Sequence, residues 1–378
     1  MGATRALAAY VTSHGFGHLN RTVAVLNRLP EDVPLIIRSA PDLFDHWRER
    51  LRRPAELLPH VSDAGAVNPP GNSADTDGPA SLERAARVHA EAMGRIDEYT
   101  DELRSGAVAA VLCDATPVPL VAARRAGVPG FLLGNFTWAD IYHPHAKKMG
   151  GDWPTFVREL HRCYRHATAI FRCAPHLSMA GLAPIVDVGM VVTPGRDRRG
   201  ELRAGLGLSE RDRIVYMYLG RYGQDDYEWG RIARLGALGI HFVGFHEAPA
   251  SAGPVPNLHV VPASEWTGAD LAASADVVVA KAGYGTVCEA IVAGTPMIHP
   301  PRTGFAEYRA LALALKSWGG GVPASRRAFD RLRIERLLDR AFALEPGPPP
   351  FPADGASRVA THLAAICRGQ PEGGRPLF

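Results

Sequence analysis

Lysine is nearly missing from this chain. Only Lys147, Lys148, Lys281 and Lys316 are present among 42 basic residues, so arginine carries almost all the positive charge. With 39 glycines, 31 prolines and abundant alanine, the skew reads as a high-GC coding bias, and it draws attention to any lysine standing at a motif. Charge of one sign is also scarce: the net charge is +3, and no Lys/Arg-rich block exceeds short pieces such as residues 196–203. That excludes a polyanion as the expected partner, so no nucleic acid is expected. Cysteine is sparse, odd in number (Cys113, Cys163, Cys173, Cys288, Cys367) and never arranged as Cys-x-x-Cys. A zinc site or disulfide framework is not expected, no metal is expected, and a reducing cytoplasm is the default location. No run approaches the roughly 18–20 apolar residues of a membrane span, so no integral membrane segment is expected. The first apolar run is too short for a signal peptide, and Ala6 stands where a myristoylation motif needs Ser or Thr.

What is present is an ordinary globular composition, with 46% hydrophobic and 21% charged residues. A disordered chain would lack the apolar surface to offset its ordering entropy. At roughly 100–200 residues per domain, 378 residues suggest two domains or three.

Strand-like and helix-like patterns alternate. Compact apolar runs at residues 6–12, 33–38, 108–113 and 130–133 fit strands covered on both faces. Helical spacing appears at residues 19–29, 43–51 and 81–104, and residues 63–79 read as a long polar loop. A charged Pro/Gly segment at 192–200 marks a boundary, after which the pattern restarts with strands at 214–219, 240–245, 258–261, 277–280 and 297–299. A proline run at 346–352 precedes a last helix at 356–367. The expected architecture is α/β: two parallel-sheet halves, residues 1–192 and 193–352, facing across a cleft, with residues 353–378 as a C-terminal helix and tail returning to the first half. In such sheets ligands bind beyond the carboxyl ends of the strands.

The first strand leads into Ser13-His14-Gly15-Phe16-Gly17-His18 and then a helix. Gly15 and Gly17 permit a tight turn and close approach to a ligand. His18 at the helix start suits a general base, since an imidazole can take and return a proton near neutral pH. Asp114, at the matching edge after another strand, would orient it as in triad logic. The plain alternative is a histidine that packs or caps the turn. His14 is a second candidate for the same role.

In the second half a strand runs into Lys281-Ala282-Gly283-Tyr284-Gly285-Thr286-Val287-Cys288-Glu289-Ala290 and a helix. Helix-terminal N–H groups without Cβ at two positions make an anion site, Thr286 adds a hydroxyl, and Lys281 a point charge. Glu289, one turn in, could bond ribose hydroxyls. A dinucleotide fingerprint is excluded because Cys288 stands where its third glycine belongs. Gly220 and Arg221 follow the first strand of this half and could also face phosphates. Glu307 follows the strand ending near His299 and could accept from sugar hydroxyls, or be an ordinary first-turn acid favoured by the helix dipole.

Together, residues 10–18, Gly134 to Trp138 with Ile141-Tyr142, residues 281–290 and residues 305–308 resemble the two-domain GT-B nucleotide-sugar glycosyltransferases. The likeness is to the group holding the family-1 natural-product transferases and the lipid-linked cell-wall N-acetylglucosaminyltransferases. It extends to the glycosyltransferase-like half of arabinokinase-type proteins and bacterial stand-alone relatives. The resemblance implies a nucleotide diphosphate sugar in the C-terminal half, with Gly283, Tyr284, Gly285 and Thr286 at the diphosphate, Glu289 at the ribose and Glu307 at the donor sugar. Tyr308 replaces the Gln that follows that acid in the family, and Lys281 stands where many family-1 members have His. It implies a small-molecule acceptor in the N-terminal half, with His18 as base and Asp114 as its partner. His14, Gly17, Asn135, Phe136, Trp138 and Tyr142 are expected to line the acceptor site, with core packing as the alternative for the aromatics.

No Asp-x-Asp metal motif stands out, so the nucleotide is expected to leave without a metal or other cofactor, helped by the helix N-terminus and Lys281. Inversion at the anomeric carbon and a secondary-metabolite (antibiotic) acceptor follow from the resemblance alone. A homodimer stays open. Two competing functions remain at this point, a nucleotide-sugar 2-epimerase and a non-catalytic nucleotide-sugar-binding module. His143 and His145 lack the spacing of a helical metal pair and read as loop residues.

Overall fold

The structure, a computed structural model, describes residues 4–70, 74–105, 108–219 and 227–370. It divides into two compact units. One comprises residues up to 67, 77–192 and those from 351 onward; the other comprises 68–76 and 193–350.

The first unit holds seven strands: β1 (Ala6–Val11), β2 (Leu35–Ser39), β3 (Glu56–Pro59), β4 (Val108–Asp114), β5 (Gly130–Gly134), β6 (Ala169–Cys173) and β7 (Ile185–Gly189). They form one sheet in the order β3-β2-β1-β4-β5-β6-β7, and every pair is parallel. Every residue of β1, β4 and β5 is buried, which is why these segments read as unbroken apolar runs. The edge strand β3, Glu-Leu-Leu-Pro, is only partly buried and carries no such run, so the sequence pattern passes over it.

The second unit holds β8 (Arg213–Tyr218), β9 (Ile240–Gly244), β10 (Leu258–Val260), β11 (Val277–Ala280), β12 (Met297–His299) and β13 (Gly321–Pro323). Their order is β10-β9-β8-β11-β12-β13, again wholly parallel. The core around Val215, Phe242, Val277, Val279 and Ile298 is closed on one side by Trp229, Ile232 and Leu338.

Both sheets share one topological feature. The chain lays three strands outward, then returns to place the fourth beside the first, so β1 adjoins β4 and β8 adjoins β11. At such a switch point the loops leaving two adjacent strands diverge and open a crevice. The residues after β1, β4 and β11 are those the sequence singles out.

The last helix, Gly355–Cys367, buries Val359, Ala360 and Leu363 and belongs to the first unit. Arg5 N donates to Cys367 O at 2.8 Å, tying this helix to the start of β1.

Several expectations change. The single helix over 81–104 is two, Gly78–Gly94 and Ile96–Ser105. The first is capped by the Asp77 carboxylate, which accepts from Ala80 N at 3.0 Å. His143 and His145 are not loop residues: the helix Trp138–Met149 runs through them, started by a Thr137/Asp140 capping box. Residues 68–76 group with the second unit, where Thr76 N donates to Thr303 O at 3.1 Å and Asp75 pairs with Arg326 at 3.0 Å.

Candidate active site

In the first unit, Val11 of β1 and Leu133 of β5 both lie in register beside Asp114, the last residue of β4. The loop into the helix Phe16–Leu26, Asp114 itself and Asn135 therefore reach one sheet edge. Gly15, with φ of +78°, makes the sharp entry into that helix. Within the helix, His18, Arg21 and Thr22 follow i, i+3, i+4 spacing, so all three project toward the end of β4.

There they converge on one carboxylate. His18 Nδ1 lies 2.6 Å from Asp114 Oδ1, Arg21 Nε donates to Asp114 Oδ2 at 2.9 Å, and Thr22 Oγ1 donates to the same oxygen at 2.9 Å. Arg21 Nη2 reaches Asp114 Oδ1 as well, completing a two-pronged contact. The remaining prong, Arg21 Nη1, donates to Asn135 Oδ1 at 2.7 Å. Burial alone would raise the Asp114 pKa, but Arg21 and His18 outweigh it and hold the carboxyl down to about 2. An ionised carboxylate can only accept, so Nδ1 of His18 carries the proton and Nε2 keeps the lone pair. The pair has the geometry a general base requires.

A second buried acid stands nearby. Asp63 Oδ1 accepts from Thr12 Oγ1 at 2.7 Å and Oδ2 from Trp138 Nε1 at 2.9 Å. Burial pushes its pKa up to about 6, against the two hydrogen bonds and the nearby His18, which pull down. Ala115, directly after Asp114, holds φ of +63°. Its carbonyl accepts from Tyr164 Oη at 2.6 Å, which fixes this unusual backbone.

The residues expected to line the acceptor site lie around the pair. The His18 ring is 5.7 Å from Phe136 and 6.0 Å from Trp138 between centroids. His14 packs edge-on against Trp138 at 5.1 Å, and Tyr142 stacks on Trp138 at 5.8 Å. Gly17 is exposed in the first turn of the helix. Asn135, Phe136, Trp138 and Tyr142 are all buried. Asn135 holds Arg21, Trp138 holds Asp63, and Tyr142 Oη donates to Gly65 O at 2.7 Å. These polar atoms brace the site from behind. Beside them is a small cavity of about 10 Å³, room for roughly one water molecule, lined in part by Ser62, Asp63, Ala64, His89, Trp138 and Tyr142.

In the second unit, β11 ends at Ala280 and the helix Tyr284–Ala293 begins after Gly283. The N-cap residue of that helix, Gly283, has no side chain to cap the first N–H groups. A Cβ on Gly283 or Gly285 would meet nothing within 4 Å, so neither glycine is demanded by packing. Thr286 is half-buried in the same first turn. Burial, with Arg302 close by, lowers the Lys281 pKa to about 8, while Glu307 opposes the shift. Glu307 is itself buried, its carboxylate 3.7 Å from Arg302. Gly268 gives room to Tyr216 and Glu289: a Cβ there would stand 3.0 Å from Tyr216 Oη and 3.5 Å from Glu289 Oε2. Gly220 and Arg221 lie outside the described residues.

Sequence reasoning missed Arg21, Thr22, Thr12 and Asp63. For Arg21 a signal existed: an arginine three residues after His18, on the inward face of a helix, needs a buried acid. For Asp63 there was none, because it lies in an irregular stretch with no periodicity.

No protein-family model matches the chain. Solved structures match nearly its whole length. Phytolacca americana UGT2, complexed with UDP-2-fluoro-glucose and pterostilbene, superposes with a TM-score of 0.63 at 13% identity over 96% of this chain and 94% of that one. The calicheamicin glycosyltransferase CalG4 gives 0.62 at 15% identity over 97% and 95%, and the spinosyn rhamnosyltransferase SpnG 0.59 at 15% over 97% and 96%. The chain thus has the GT-B fold, with two parallel-sheet α/β domains. In sequence it is similar to L-arabinokinase of Arabidopsis thaliana, 28% identical over 344 residues, which is 90% of this chain and 32% of that protein. The chain thus spans about a third of the length of that curated relative. Among the described residues no helix is long and apolar enough to cross a membrane.

Proposed function

We propose that the protein is a glycosyltransferase that moves a sugar from a nucleotide diphosphate sugar to a small-molecule acceptor. The observation that carries this reading is the His18–Asp114 pair at the β1/β4 switch point of a GT-B fold. In the proposed mechanism His18 Nε2 takes the proton from the acceptor's nucleophilic group while Asp114 steadies the imidazolium that results. The acceptor attacks the anomeric carbon, the bond to the nucleotide diphosphate breaks, and the configuration inverts in a single displacement. The uncapped N-terminus of the helix Tyr284–Ala293, with Thr286 and Lys281, stabilises the departing diphosphate without a metal. Glu289 takes the ribose and Glu307 the donor sugar. The structure of Phytolacca americana UGT2 with UDP-2-fluoro-glucose and pterostilbene supports a nucleotide-sugar donor with a small-molecule acceptor, and the likeness to the calicheamicin and spinosyn transferases favours a secondary-metabolite acceptor.

A thermal-shift panel of UDP-, TDP-, GDP- and ADP-sugars tests the donor half, because a ligand that binds only the folded state raises its melting temperature. A shift with one nucleotide class and none with the others is expected; no shift with any of them overturns the proposal. The likeness to part of L-arabinokinase favours a second reading, a nucleotide-sugar-binding module without transfer. Donor binding without transfer to, or hydrolysis by, any acceptor in a broad small-molecule panel would select it.

A further inference from the structure

The proposed base needs His18 and Asp114. It does not by itself need an arginine, yet Arg21 is buried in the site and divides its guanidinium between two partners, Asp114 and Asn135. Its Nη2 also lies 3.1 Å from His18 Nδ1, on the same carboxylate oxygen that orients the imidazole. Among the described residues, the charged groups placed near His18 are Asp114 at the end of β4, Arg21 on its own helix, and Asp63 in the loop after β3. The His14 ring stands 6.4 Å away, and Phe136 and Trp138 cover the β5 side. A lone carboxylate would favour a proton on the imidazole; a guanidinium sharing that carboxylate opposes it.

We propose that Arg21, held by Asn135, is a positioning residue: it locks Asp114 against His18, and its charge sets the pH below which transfer fails. The inference rests on His18 acting as the base. It also gives Asn135 a different part from direct acceptor contact, since its side-chain oxygen is committed to Arg21.

The test uses pH–rate profiles of the full chain with donor and acceptor. Arg21→Met should lower turnover about tenfold or more through loss of orientation. Removing the cation makes the imidazolium easier to form, so the acidic limb of its profile should move up by about one pH unit, at unchanged donor affinity. Arg21→Lys restores the charge without the fork, so its acidic limb should return to the wild-type position while turnover stays low. Asn135→Ala should lower turnover several-fold at an unchanged acceptor KM. An Arg21→Met profile that keeps the wild-type limb overturns the proposal. So does a raised acceptor KM at unchanged turnover in Asn135→Ala, a milder variant that serves if Arg21→Met does not fold. His18→Ala separates the two claims. If it transfers normally, the base assignment itself has failed; if it is dead while Arg21→Met keeps its profile, only the role of Arg21 has.

Discussion

The two units build their sites in opposite ways. In the first, the reactive pair is made of side chains brought from separate elements. His18 and Arg21 come from one helix, Asp114 from β4 and Asn135 from the end of β5, and these four are tied together, while Asp63 comes from a loop and is held by Thr12 and Trp138. In the second, a contiguous segment, residues 281–289, presents a lysine, two glycines, a threonine and an acid around an uncapped helix end. The first site is mostly a network of side chains, and the proposed second one draws on a helix N-terminus whose N-cap, Gly283, has no side chain. The difference fits the two proposed tasks: a base must be held in one tautomer and one orientation, whereas a diphosphate is well met by the N–H groups of a helix N-terminus.

The largest effect expected breaks the two sites apart functionally. His18→Ala should reduce transfer by roughly 10²- to 10⁴-fold, the usual range for a general base. Nucleotide affinity should stay unchanged, because the proposed donor contacts lie in the other unit. Steady-state rates together with a calorimetric titration read both quantities. Full transfer in the variant would end the base assignment.

Glycines sharpen the contrast. At Gly65 the backbone has φ of +63°, and a Cβ would fall 2.4 Å from the His14 ring. Gly65→Ala should therefore cost about 2–3 kcal/mol and lower the melting temperature by several degrees. At Gly285 a Cβ meets nothing within 4 Å. Gly285→Val should leave the melting temperature of the free protein almost where it was, yet weaken nucleotide binding about tenfold or more, because the new side chain occupies space a phosphate would use. Thermal unfolding with and without nucleotide measures both variants. If Gly285→Val unfolds early, or Gly65→Ala does not, the contrast between a glycine kept for packing and one kept for a ligand fails.

Glu289→Ala is the next step down. Loss of hydrogen bonds from one carboxylate to ribose hydroxyls should weaken the nucleotide by about 1.5–3 kcal/mol, or roughly ten- to a hundredfold. Undiminished affinity in a titration would remove Glu289 from the donor site.

The same contrast explains what was legible in the sequence. The segment 281–289 could be singled out because the features proposed to meet the donor lie in consecutive residues between a buried strand and a helix. The parallel sheets could be read because β1, β4, β5 and β11 are buried on both faces and leave unbroken apolar runs. The edge strand β3 and the short β13 lack such runs and went unseen; β6 and β7 went unseen too, although β6 is largely buried. His18 and Asp114 could be paired because each follows a strand, and adjacent strands end at one edge. Arg21 and Asp63 enter through tertiary packing: a helix face seen only once the helix is docked, and a loop that has no period at all. Asn135, Trp138 and Tyr142 could be placed near the site but not assigned a task, since a polar aromatic or amide looks alike in sequence whether it meets a ligand or braces a neighbour.

The last effect, graded with pH, concerns the two carboxyls of the first unit, which should pull stability in opposite directions. Asp114 is held down to about 2, below its unfolded value near 4, so its contribution is present above pH 4 and lost as pH falls toward 2. Asp63 is pushed up to about 6. The folded state then binds its proton more tightly than the unfolded chain, and the stability due to that proton declines as pH rises from about 4 to 6. Asp63→Asn keeps the shape and can still accept from Trp138 Nε1 while donating to Thr12 Oγ1, but it cannot ionise. The difference in stability between variant and wild type should therefore grow in the variant's favour across pH 4 to 6, by at most about 3 kcal/mol, and level off above. Urea unfolding at several pH values reads this directly, and a pH-independent difference would show that Asp63 is ionised throughout. In the wild type, ionisation of Asp63 above pH 6 adds a negative charge near His18 at the pH where a base is needed. The buried acid that weakens the fold there would support the imidazolium that the proposed transfer forms, and the corresponding group in the second unit is a cation, Lys281, whose pKa burial lowers to about 8.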